Sequence, residues 1–384
     1  MHMPETDLSR TALFDEHLSS GAKMVDFHGF ELPIWYSSIQ EEHIATRSGC
    51  GLFDVSHMGF FRFSGDGVKD WLTSISTQNF MNFHPGRCGY THFLDEEGYI
   101  IDDMIFAISD ENEVFGVPNS SMVGIMLDWL NSKILSNGSI SIEDLSEKTS
   151  ILALQGPESI SIVGRLLGVT NMVRRFHCQK IEENELGVSG WIQGTGYTGE
   201  SGVEIFCNDV DAVKIWRELI STESYGVVPI GLGARDTLRM EKGYLLSGQD
   251  FLWPRIGGES GNEKLPEGFL SRNTIETAVP YGLESSHDFI GKKSTESHRS
   301  SEIRWRGLIC TERGPSPRVG HQVFDDPEGI SLIGYVTSGG PSPSLGMNGI
   351  ALAYLNGKNI GDNVWIKASK RKMVKAEVAK TPFI

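Results

Sequence analysis

The sequence predicts a multidomain α+β protein with an all-β C-terminal part. At 384 residues the chain is longer than one hydrophobic core usually supports, so more than one domain is expected. Strand-like and helix-like patterns mix up to about residue 290. Beyond residue 303, short apolar runs separated by Gly, Pro, Asn and Asp are typical of a small barrel or sandwich.

The N-terminal part carries one hairpin pattern and three helix patterns. Residues Gly89 to Phe106 predict two strands that turn at residues 95–98. An amphipathic helix is expected from about Ser120, because apolar residues recur there at helical spacing. Two further helices are predicted at Glu158–Leu167 and Asp211–Thr222.

Two polar stretches indicate the domain organisation. The glycine-rich segment Ile256–Asn273 indicates an exposed insertion, which we place at about 251–273. The polar segment Lys292–Glu302 separates a region 1–290 from a C-terminal domain 303–384. Strands in that domain are expected at Trp305–Cys310, Gln322–Phe324, Leu332–Val336, Ile350–Leu355, Val364–Ile366 and Val374–Val378.

Composition excludes several classes of partner. A formal net charge of −16 and a pI of about 5.2 disfavour nucleic acid and anionic lipid, because both require a basic surface. No apolar run approaches the roughly 20 residues that span a bilayer, and the first residues lack the apolar core of a signal peptide. Five scattered cysteines without a CxxC pair, and histidines without an HxH or HExxH pair, support neither a disulfide framework nor a metal site.

Two adjacent acids, Asp102 and Asp103, interrupt an apolar strand pattern. Strand alternation puts them on opposite faces, so at least one should be poorly solvated. Such a carboxylate must be paired or hydrogen-bonded, or have a raised pKa, which suits an acid that handles a proton near neutral pH. The alternative is a strand-end acid that caps a loop or pairs with an arginine.

The segment Gly194–Gly199 has the GxGxxG spacing of dinucleotide-binding proteins. The next residues predict a strand, whereas that fingerprint requires a helix. We therefore predict a glycine-rich hairpin in which Glu204 projects opposite to Val203 and Ile205. A plain hairpin with an outward acid remains the simpler interpretation.

Arg235 and Arg239 are four residues apart in a helical pattern, so they share one face. Two guanidinium groups on one face can bind a carboxylate. The alternative is pairing with Asp236 or Glu241 on a solvated face.

Several segments, in order along nearly the whole chain, together resemble the glycine-cleavage aminomethyltransferases. They are Thr11–Phe14, Gly21–Val25, Gly51–Gly59, Ile100–Asp103, Leu154–Pro157, Gly196–Glu200, Gly231–Arg239, Gly248–Asp250 and Val336–Gly339. The resemblance implies two interleaved α+β subdomains around a central folate channel within 1–290, and a β-barrel domain after them.

The resemblance also implies the roles of individual residues. Asp103 corresponds to the acid beside the pteridine nitrogen that accepts the one-carbon unit. The implied folate contacts are Met58, Tyr90, Asn119, Tyr197, Glu204 and Arg235. Arg318 matches an arginine near the place where the lipoyl arm enters.

The implied reaction transfers the methylene carbon of an aminomethyl group, carried on the lipoyl arm of H-protein, to tetrahydrofolate, with release of ammonia. Tetrahydrofolate would be the co-substrate, without a metal, and lipoylated H-protein the partner. The expected location is the cytoplasm of a bacterium or the mitochondrial matrix of a eukaryote, and the protein is not expected to be secreted. One alternative is a tetrahydrofolate-dependent demethylase of a small methylated compound. Another is a folate-binding regulator or iron-sulfur assembly factor without catalysis.

Overall fold

Helices and strands mix in the first part of the chain, and a run of strands follows. The computed structural model describes residues 8–134, 139–168, 173–182, 184–222, 225–256, 264–277 and 287–384. The α-helices are α1 (Phe14–Ser19), α2 (Ile39–Ser48), α3 (Val68–Ile75), α4 (Val123–Ser132), α5 (Ser159–Leu167), α6 (Asp209–Ser221), α7 (Leu232–Lys242) and α8 (Lys292–Ser297). Short 3-10 helices cover Phe80–Asn82, Ser120–Met122, Ser146–Lys148 and His298–Ser300.

The strands up to residue 229 are β1 (Lys23–Phe27), β2 (Phe30–Trp35), β3 (Cys50–Asp54), β4 (Phe61–Ser64), β5 (Cys88–Leu94), β6 (Ile100–Asp110), β7 (Glu113–Val117), β8 (Ser141–Asp144), β9 (Ser150–Gln155), β10 (Cys178–Ile181), β11 (Gly190–Gln193), β12 (Gly202–Cys207) and β13 (Val227–Pro229). The later strands are β14 (Ile303–Cys310), β15 (Gln322–Phe324), β16 (Leu332–Ser342), β17 (Asn348–Asn356), β18 (Asn363–Ser369) and β19 (Lys372–Ala379).

The chain forms two compact units. The first comprises residues 1–68, 84–88 and 106–236, and the second comprises residues 69–83, 89–105 and 237–384. The predicted domains 1–290 and 303–384 are continuous ranges, whereas these two units are built from interleaved segments. The predicted division stays a prediction. The predicted insertion at 251–273 lies partly outside the described residues, because residues 257–263 are not among them.

A six-stranded sheet forms the centre of the first unit. Its order is β10-β11-β12-β9-β3-β13, and neighbouring strands are antiparallel except for β13, which runs parallel to β3. One face of this sheet packs against α5 and α6 in an apolar core that includes Leu152, Val203 and Trp216. Burial on that face leaves the opposite face for other side chains, because successive strand residues alternate.

The helices of the first unit follow their sequence signals. Helix α5 lies where it was predicted and ends at Gly168, whose φ of 64° is the left-handed value common at helix ends. Helix α6 begins at Asp209, two residues before the predicted start, because the Asn208 side chain accepts a hydrogen bond from Asp211 N at 2.9 Å. The predicted helix near Ser120 is confirmed as a 3-10 turn followed by α4.

The predicted hairpin at 89–106 is confirmed by strands β5 and β6. Asp95 closes its turn, because its Oδ1 accepts hydrogen bonds from Glu97 N at 3.0 Å and Tyr99 N at 2.9 Å. The two strands belong to a five-stranded sheet of order β5-β6-β7-β4-β8. The acids Asp102 and Asp103 therefore lie on a strand whose neighbours fix both of its edges.

The C-terminal strands close into a barrel of order β14-β17-β16-β15-β18-β19. All six predicted strands are confirmed, and the barrel is the correct choice between the barrel and the sandwich. Alternation explains the apolar interior of the barrel, because in β18 and β19 buried residues such as Ile366 and Val374 recur at every second position. Along the described part of the chain, no helix is long and apolar enough to cross a membrane.

A buried ion pair in the second unit connects α7 to the loop after it. Arg239 Nη1 lies 2.7 Å from Asp250 Oδ2, and both side chains are fully buried. Ser338 Oγ accepts from Arg239 Nη2 at 2.7 Å and donates to Asp250 Oδ1 at 2.7 Å. The Thr337 hydroxyl and the Leu246 N–H also donate to Asp250. These bonds compensate for removing the two charges from water.

All five cysteines are free thiols in buried positions, which agrees with the expectation of no disulfide framework. Burial raises the pKa of Cys50 and Cys207 to about 12, and that of Cys310 to about 11. These three thiols therefore stay protonated at neutral pH.

Replacing Asp250 should destabilise the protein strongly. Asp250→Ala leaves the Arg239 guanidinium buried without its carboxylate, which should lower the free energy of unfolding by about 3–5 kcal/mol. Urea denaturation followed by circular dichroism measures the change. Glu97→Ala is the control, because its ion pair with Arg255 is exposed and should contribute little. Equal effects of the two substitutions would contradict a special role for the buried pair.

Candidate functional site

The predicted glycine-rich hairpin joins β11 to β12, and a strand follows it, as expected. Gln155 supports this hairpin from β9. Its Nε2 donates to Thr195 O at 3.1 Å and Val203 O at 3.3 Å, and its Oε1 accepts from the Thr198 hydroxyl at 2.9 Å. A Cβ at Gly196 would lie only 2.1 Å from Gln155 Oε1. Glycine is therefore required for the close approach that fixes the hairpin.

Glu204 projects from β12 away from the apolar core, as predicted, whereas Val203 and Ile205 are fully buried in it. Its Oε2 accepts a hydrogen bond from Thr195 Oγ1 at 2.5 Å. Burial raises the pKa of Glu204, while the Thr195 hydrogen bond and the charge of Arg235 act in the opposite direction. The acid is thus held within the protein and is not a plain outward residue of a hairpin.

Arg235 lies next to the hairpin. Its guanidinium carbon is 4.8 Å from the centre of the Tyr197 ring, within cation-π distance. Burial lowers the pKa of Arg235, and the neighbouring Tyr197 and Glu204 partly offset that change. Tyr197, Glu204 and Arg235, predicted separately along the sequence, therefore form one cluster of an aromatic ring, an acid and a cation.

Met58 follows β3 in a loop held by a buried acid. Asp54 Oδ1 accepts from Ser56 N at 2.9 Å, and its Oδ2 lies 2.9 Å from His17 Nε2 and also accepts from the Thr11 hydroxyl. The hydrogen bonds of His17, Ser56 and Thr11 lower the pKa of Asp54 against the effect of burial. The carboxylate is therefore kept ionised, and it fixes the backbone that carries Met58.

The segment that carries Asn119 contacts the segment that carries Met58, through the neighbouring residues Pro118 and Gly59. Gly59 N donates to Pro118 O at 3.1 Å, and a Cβ at Gly59 would lie 2.5 Å from the Pro118 ring. The segments that carry Met58 and Asn119 are thus in direct contact, and both side chains are half-buried.

His57 is a residue of this site that the sequence reasoning missed. Its ring is buried, it packs edge-on against Phe27, and Nδ1 has no hydrogen-bond partner among the described residues. Burial, with the positive charge of Arg235 as the next cause, lowers the pKa of His57 to about 3. His57 is therefore neutral at physiological pH. A histidine within the Gly51–Gly59 motif was the only available signal.

Asp103 belongs to a hydrogen-bonded chain in the second unit. The Tyr90 hydroxyl donates to Asp103 Oδ2 at 2.7 Å and lies 2.9 Å from His92 Nε2. Because the hydroxyl has one proton and gives it to Asp103, the His92 Nε2 must carry a proton and donate to Tyr90. Burial lowers the pKa of His92 to about 3, so its ring is neutral. Two predicted residues, Tyr90 and Asp103, are thus brought together.

The prediction that at least one of the two adjacent acids is poorly solvated is confirmed. Asp102 is fully buried and accepts a hydrogen bond from Ser247 Oγ at 3.0 Å, whereas Asp103 is half-buried. Asp102 is therefore the poorly solvated acid of the two, and Asp103 is the more exposed one.

The hypothesis that Arg235 and Arg239 together bind a carboxylate of a ligand is wrong. Arg239 is buried in the ion pair with Asp250, so its guanidinium is already committed to a carboxylate of the chain. The alternative of a solvated face is also wrong, since the partner lies outside the helix. Arg318 is exposed on the C-terminal barrel, where its Nη1 donates to Gly339 O at 3.1 Å.

No group of three or more His, Cys, Asp or Glu side chains among the described residues is arranged to hold a metal ion. The polar clusters described above combine hydroxyls, amides, carboxylates, guanidinium groups and single imidazoles, such as His17 beside Asp54 and His92 beside Tyr90.

Known families match both parts of the chain. The GCVT N-terminal domain matches residues 13–252, and the glycine cleavage T-protein C-terminal barrel domain matches residues 304–384. Fold and matches together define a class of proteins in which a mixed α/β region precedes a closed barrel. The chain belongs to the glycine cleavage T-protein family, which confirms the resemblance and the predicted fold class.

Relatives and a solved structure extend over nearly the full length. The aminomethyltransferase of Bacillus subtilis (strain 168) is 37% identical over 380 residues, covering 98% of this chain and 99% of that protein. The aminomethyltransferase of Staphylococcus carnosus (strain TM300) is 36% identical, covering 97% and 98%. The crystal structure of glycine cleavage system aminomethyltransferase T from Bartonella henselae superposes with a TM-score of 0.85 at 26% identity, covering 98% of both chains.

Removing the charge of Glu204 should stabilise the ligand-free protein at neutral pH. The folded pKa of Glu204 lies above its ordinary value of 4.5, so its contribution to stability is present below that pH and is lost as pH rises through the folded pKa. Glu204→Gln does not ionise. Its unfolding temperature should therefore rise relative to the wild type between about pH 4 and about pH 7.5. Calorimetric scans at both pH values measure this, and a pH-independent difference would contradict it.

Proposed function

We propose that the chain is an aminomethyltransferase, which transfers the methylene carbon of an aminomethyl group on lipoylated H-protein to tetrahydrofolate and releases ammonia. The observation that carries this proposal is the match to relatives named aminomethyltransferase over 97–98% of the chain. Agreement of the fold with a glycine cleavage T-protein over the same length supports it.

The cluster of Tyr197, Glu204 and Arg235 suits tetrahydrofolate. A carboxylate only accepts hydrogen bonds, and the amino and ring N–H groups of a pterin donate two side by side. Glu204 is held by Thr195 in a position to accept them. Tyr197 supplies an aromatic surface for the ring, and Arg235 supplies a cation for the glutamyl tail. We assign Met58 and Asn119, which lie on contacting segments, to the same ligand.

Asp103 is the proposed proton acceptor. When a folate nitrogen attacks the methylene carbon, a nitrogen–carbon bond forms, the bond from that carbon to the amino group breaks, and the proton lost by the folate nitrogen balances the one taken up by the departing ammonia. Displacement of the lipoyl sulfur as a thiol by the second folate nitrogen completes the transfer. The hydrogen bond from Tyr90 orients the Asp103 carboxylate, and neutral His92 orients Tyr90 in turn. The acid thus has a fixed direction, which a general base requires. Placing the carbon between two bound partners supplies a further part of the rate.

Other assignments follow from the same proposal. Arg318 contacts H-protein near the point where the lipoyl arm enters, tetrahydrofolate is a co-substrate, and the reaction needs no metal. The domains 1–290 and 303–384 and the location in the cytoplasm or the mitochondrial matrix stay predictions. The demethylase alternative is not favoured, because the full-length relatives reported above are named aminomethyltransferases. Nothing in the comparisons favours the non-catalytic alternative.

Single-turnover kinetics test the proposed function. Aminomethyl-loaded H-protein is mixed with tetrahydrofolate, with and without this protein, and ammonia is measured. Fast release that requires both folate and the protein is expected. Tight binding of tetrahydrofolate without faster release would overturn the transfer reaction and direct the search to small methylated donors.

Asp103→Asn should reduce turnover at least ~100-fold, because an amide cannot accept the proton, while folate affinity falls much less. The control is Asp102→Asn, the same substitution at the adjacent residue. The carboxylate of Asp102 accepts a hydrogen bond from Ser247 within the protein. Single-turnover rates and folate titrations of both variants separate the two roles. A near-normal rate in Asp103→Asn would remove this acid from the mechanism.

Arg235→Ala should weaken tetrahydrofolate binding by about 1.5–3 kcal/mol, as for a lost hydrogen bond to a charged group. Titration calorimetry under anaerobic conditions measures the change. Arg235→Lys keeps the charge and should recover part of the affinity, though not the planar geometry. Unchanged affinity in the alanine variant would place the contact to the glutamyl tail elsewhere.

A further inference from the structure

A buried amide beside Glu204 lacks hydrogen bonds. Gln193 is the last residue of β11, and its side chain is fully buried. Neither Oε1 nor Nε2 has a hydrogen-bond partner among the described residues. Leaving a buried polar group unsatisfied costs about 1–3 kcal/mol, so an amide with two such atoms requires an explanation.

The strand register makes Gln193 a direct neighbour of Glu204. The two residues are opposite each other in the antiparallel pair of β11 and β12. Opposite residues project on the same face, with Cβ atoms about 4.5–5.5 Å apart. This is the face turned away from the apolar core, which contains Ile192 and Ile205. The amide therefore extends the polar surface that Glu204 begins.

The residues on either side of Gln193 and Glu204 in the sheet give the Gln193 amide no strong hydrogen-bond partner. Cys178 pairs with Gln193 on one side, and Ala153 pairs with Glu204 on the other. A thiol is a weak hydrogen-bonding group, and a methyl group is none. Within the row formed by Cys178, Gln193, Glu204 and Ala153, Glu204 is the one strong hydrogen-bonding neighbour of the amide. A ligand with several polar atoms along one edge would satisfy both residues.

We propose that Gln193 is a specificity-determining residue, whose Nε2 donates a hydrogen bond to the 4-oxo group of the pterin. This rests on the proposed function, in which Glu204 accepts from the 2-amino and N3–H groups. The 4-oxo group is the next atom along the same edge, and it is an acceptor that a carboxylate cannot recognise. An amide one strand away from Glu204 supplies the missing donor. Gln193 is covered in the ligand-free chain, so its flexible side chain turns toward the pterin on binding.

A chemical double-mutant cycle tests this contact. The protein variants are wild type and Gln193→Leu, and the ligands are tetrahydrofolate and its 4-thio analogue, which keeps N3–H but has a weak acceptor in place of the carbonyl oxygen. Gln193→Leu should raise the Kd for tetrahydrofolate about 10-fold. The thio substitution should raise the Kd of the wild type by a similar factor and that of the variant by less than about 2-fold.

Several outcomes overturn the proposal. Independent effects of the two changes, or an unchanged Kd in Gln193→Leu, would show that the amide does not touch the 4-oxo group. Wild-type protein that binds no tetrahydrofolate would overturn the proposed function itself, together with this inference. Gln193→Met, unbranched and of equal length, replaces the leucine variant if that variant does not fold.

Thermal unfolding separates recognition from a structural role. In the ligand-free protein, Gln193→Leu removes unsatisfied groups, so its unfolding temperature should stay equal or rise. Gln155→Leu is the matched control, because that buried amide is hydrogen-bonded to Thr195, Thr198 and Val203, and its loss should lower the unfolding temperature. A lowered unfolding temperature in Gln193→Leu with unchanged folate affinity would make the amide structural.

Discussion

The hydrogen bonds of the Gln155 amide are the constraint on which the hairpin site depends. One side chain bonds both ends of the hairpin, to the carbonyls of Thr195 and Val203, and also the hydroxyl of Thr198. Glycine at the points of closest approach lets the amide come near enough. Tyr197 and Glu204 are thus placed by a buried, fully bonded group. A site held in this way needs little reorganisation when a ligand arrives.

Buried polar groups in this protein fall into two kinds. Arg239, Asp250 and Gln155 have partners from the chain, so their burial stabilises a single arrangement. His57 Nδ1 and the Gln193 amide have none among the described residues. His57 feels the charge of Arg235, and Gln193 pairs in register with Glu204. These two unsatisfied groups therefore neighbour residues that the resemblance assigns to folate, whereas other unpartnered atoms of the described residues, such as Trp305 Nε1 and Tyr354 Oη, lie in the C-terminal barrel.

Local patterns predicted much of the fold, and long-range partners limited the rest. Alternation and turn residues sufficed for the hairpin at 89–106, the six barrel strands and the outward face of Glu204. The predicted start of helix α6 was two residues too late, because the sequence analysis did not recognise Asn208 as its N-cap. The partner of Arg239 could not be predicted, since Ser338 lies 99 residues away and Asp250 beyond the end of the helix. The hydrogen bonds of the Gln193 side chain depend on which residues from other strands lie beside it. The sequence of β11 alone does not predict those neighbours.

The buried thiols have a practical consequence for spectroscopy. Maleimide and iodoacetamide reagents attack the thiolate, and the native cysteines are covered, with those at 50, 207 and 310 also kept protonated by raised pKa values. A single cysteine introduced on the surface would react far faster than any of them. Fluorophores or spin labels could therefore be attached at chosen positions without first removing the natural cysteines. Introducing two such cysteines would allow the distance between a pair of labels to be measured in the otherwise natural protein.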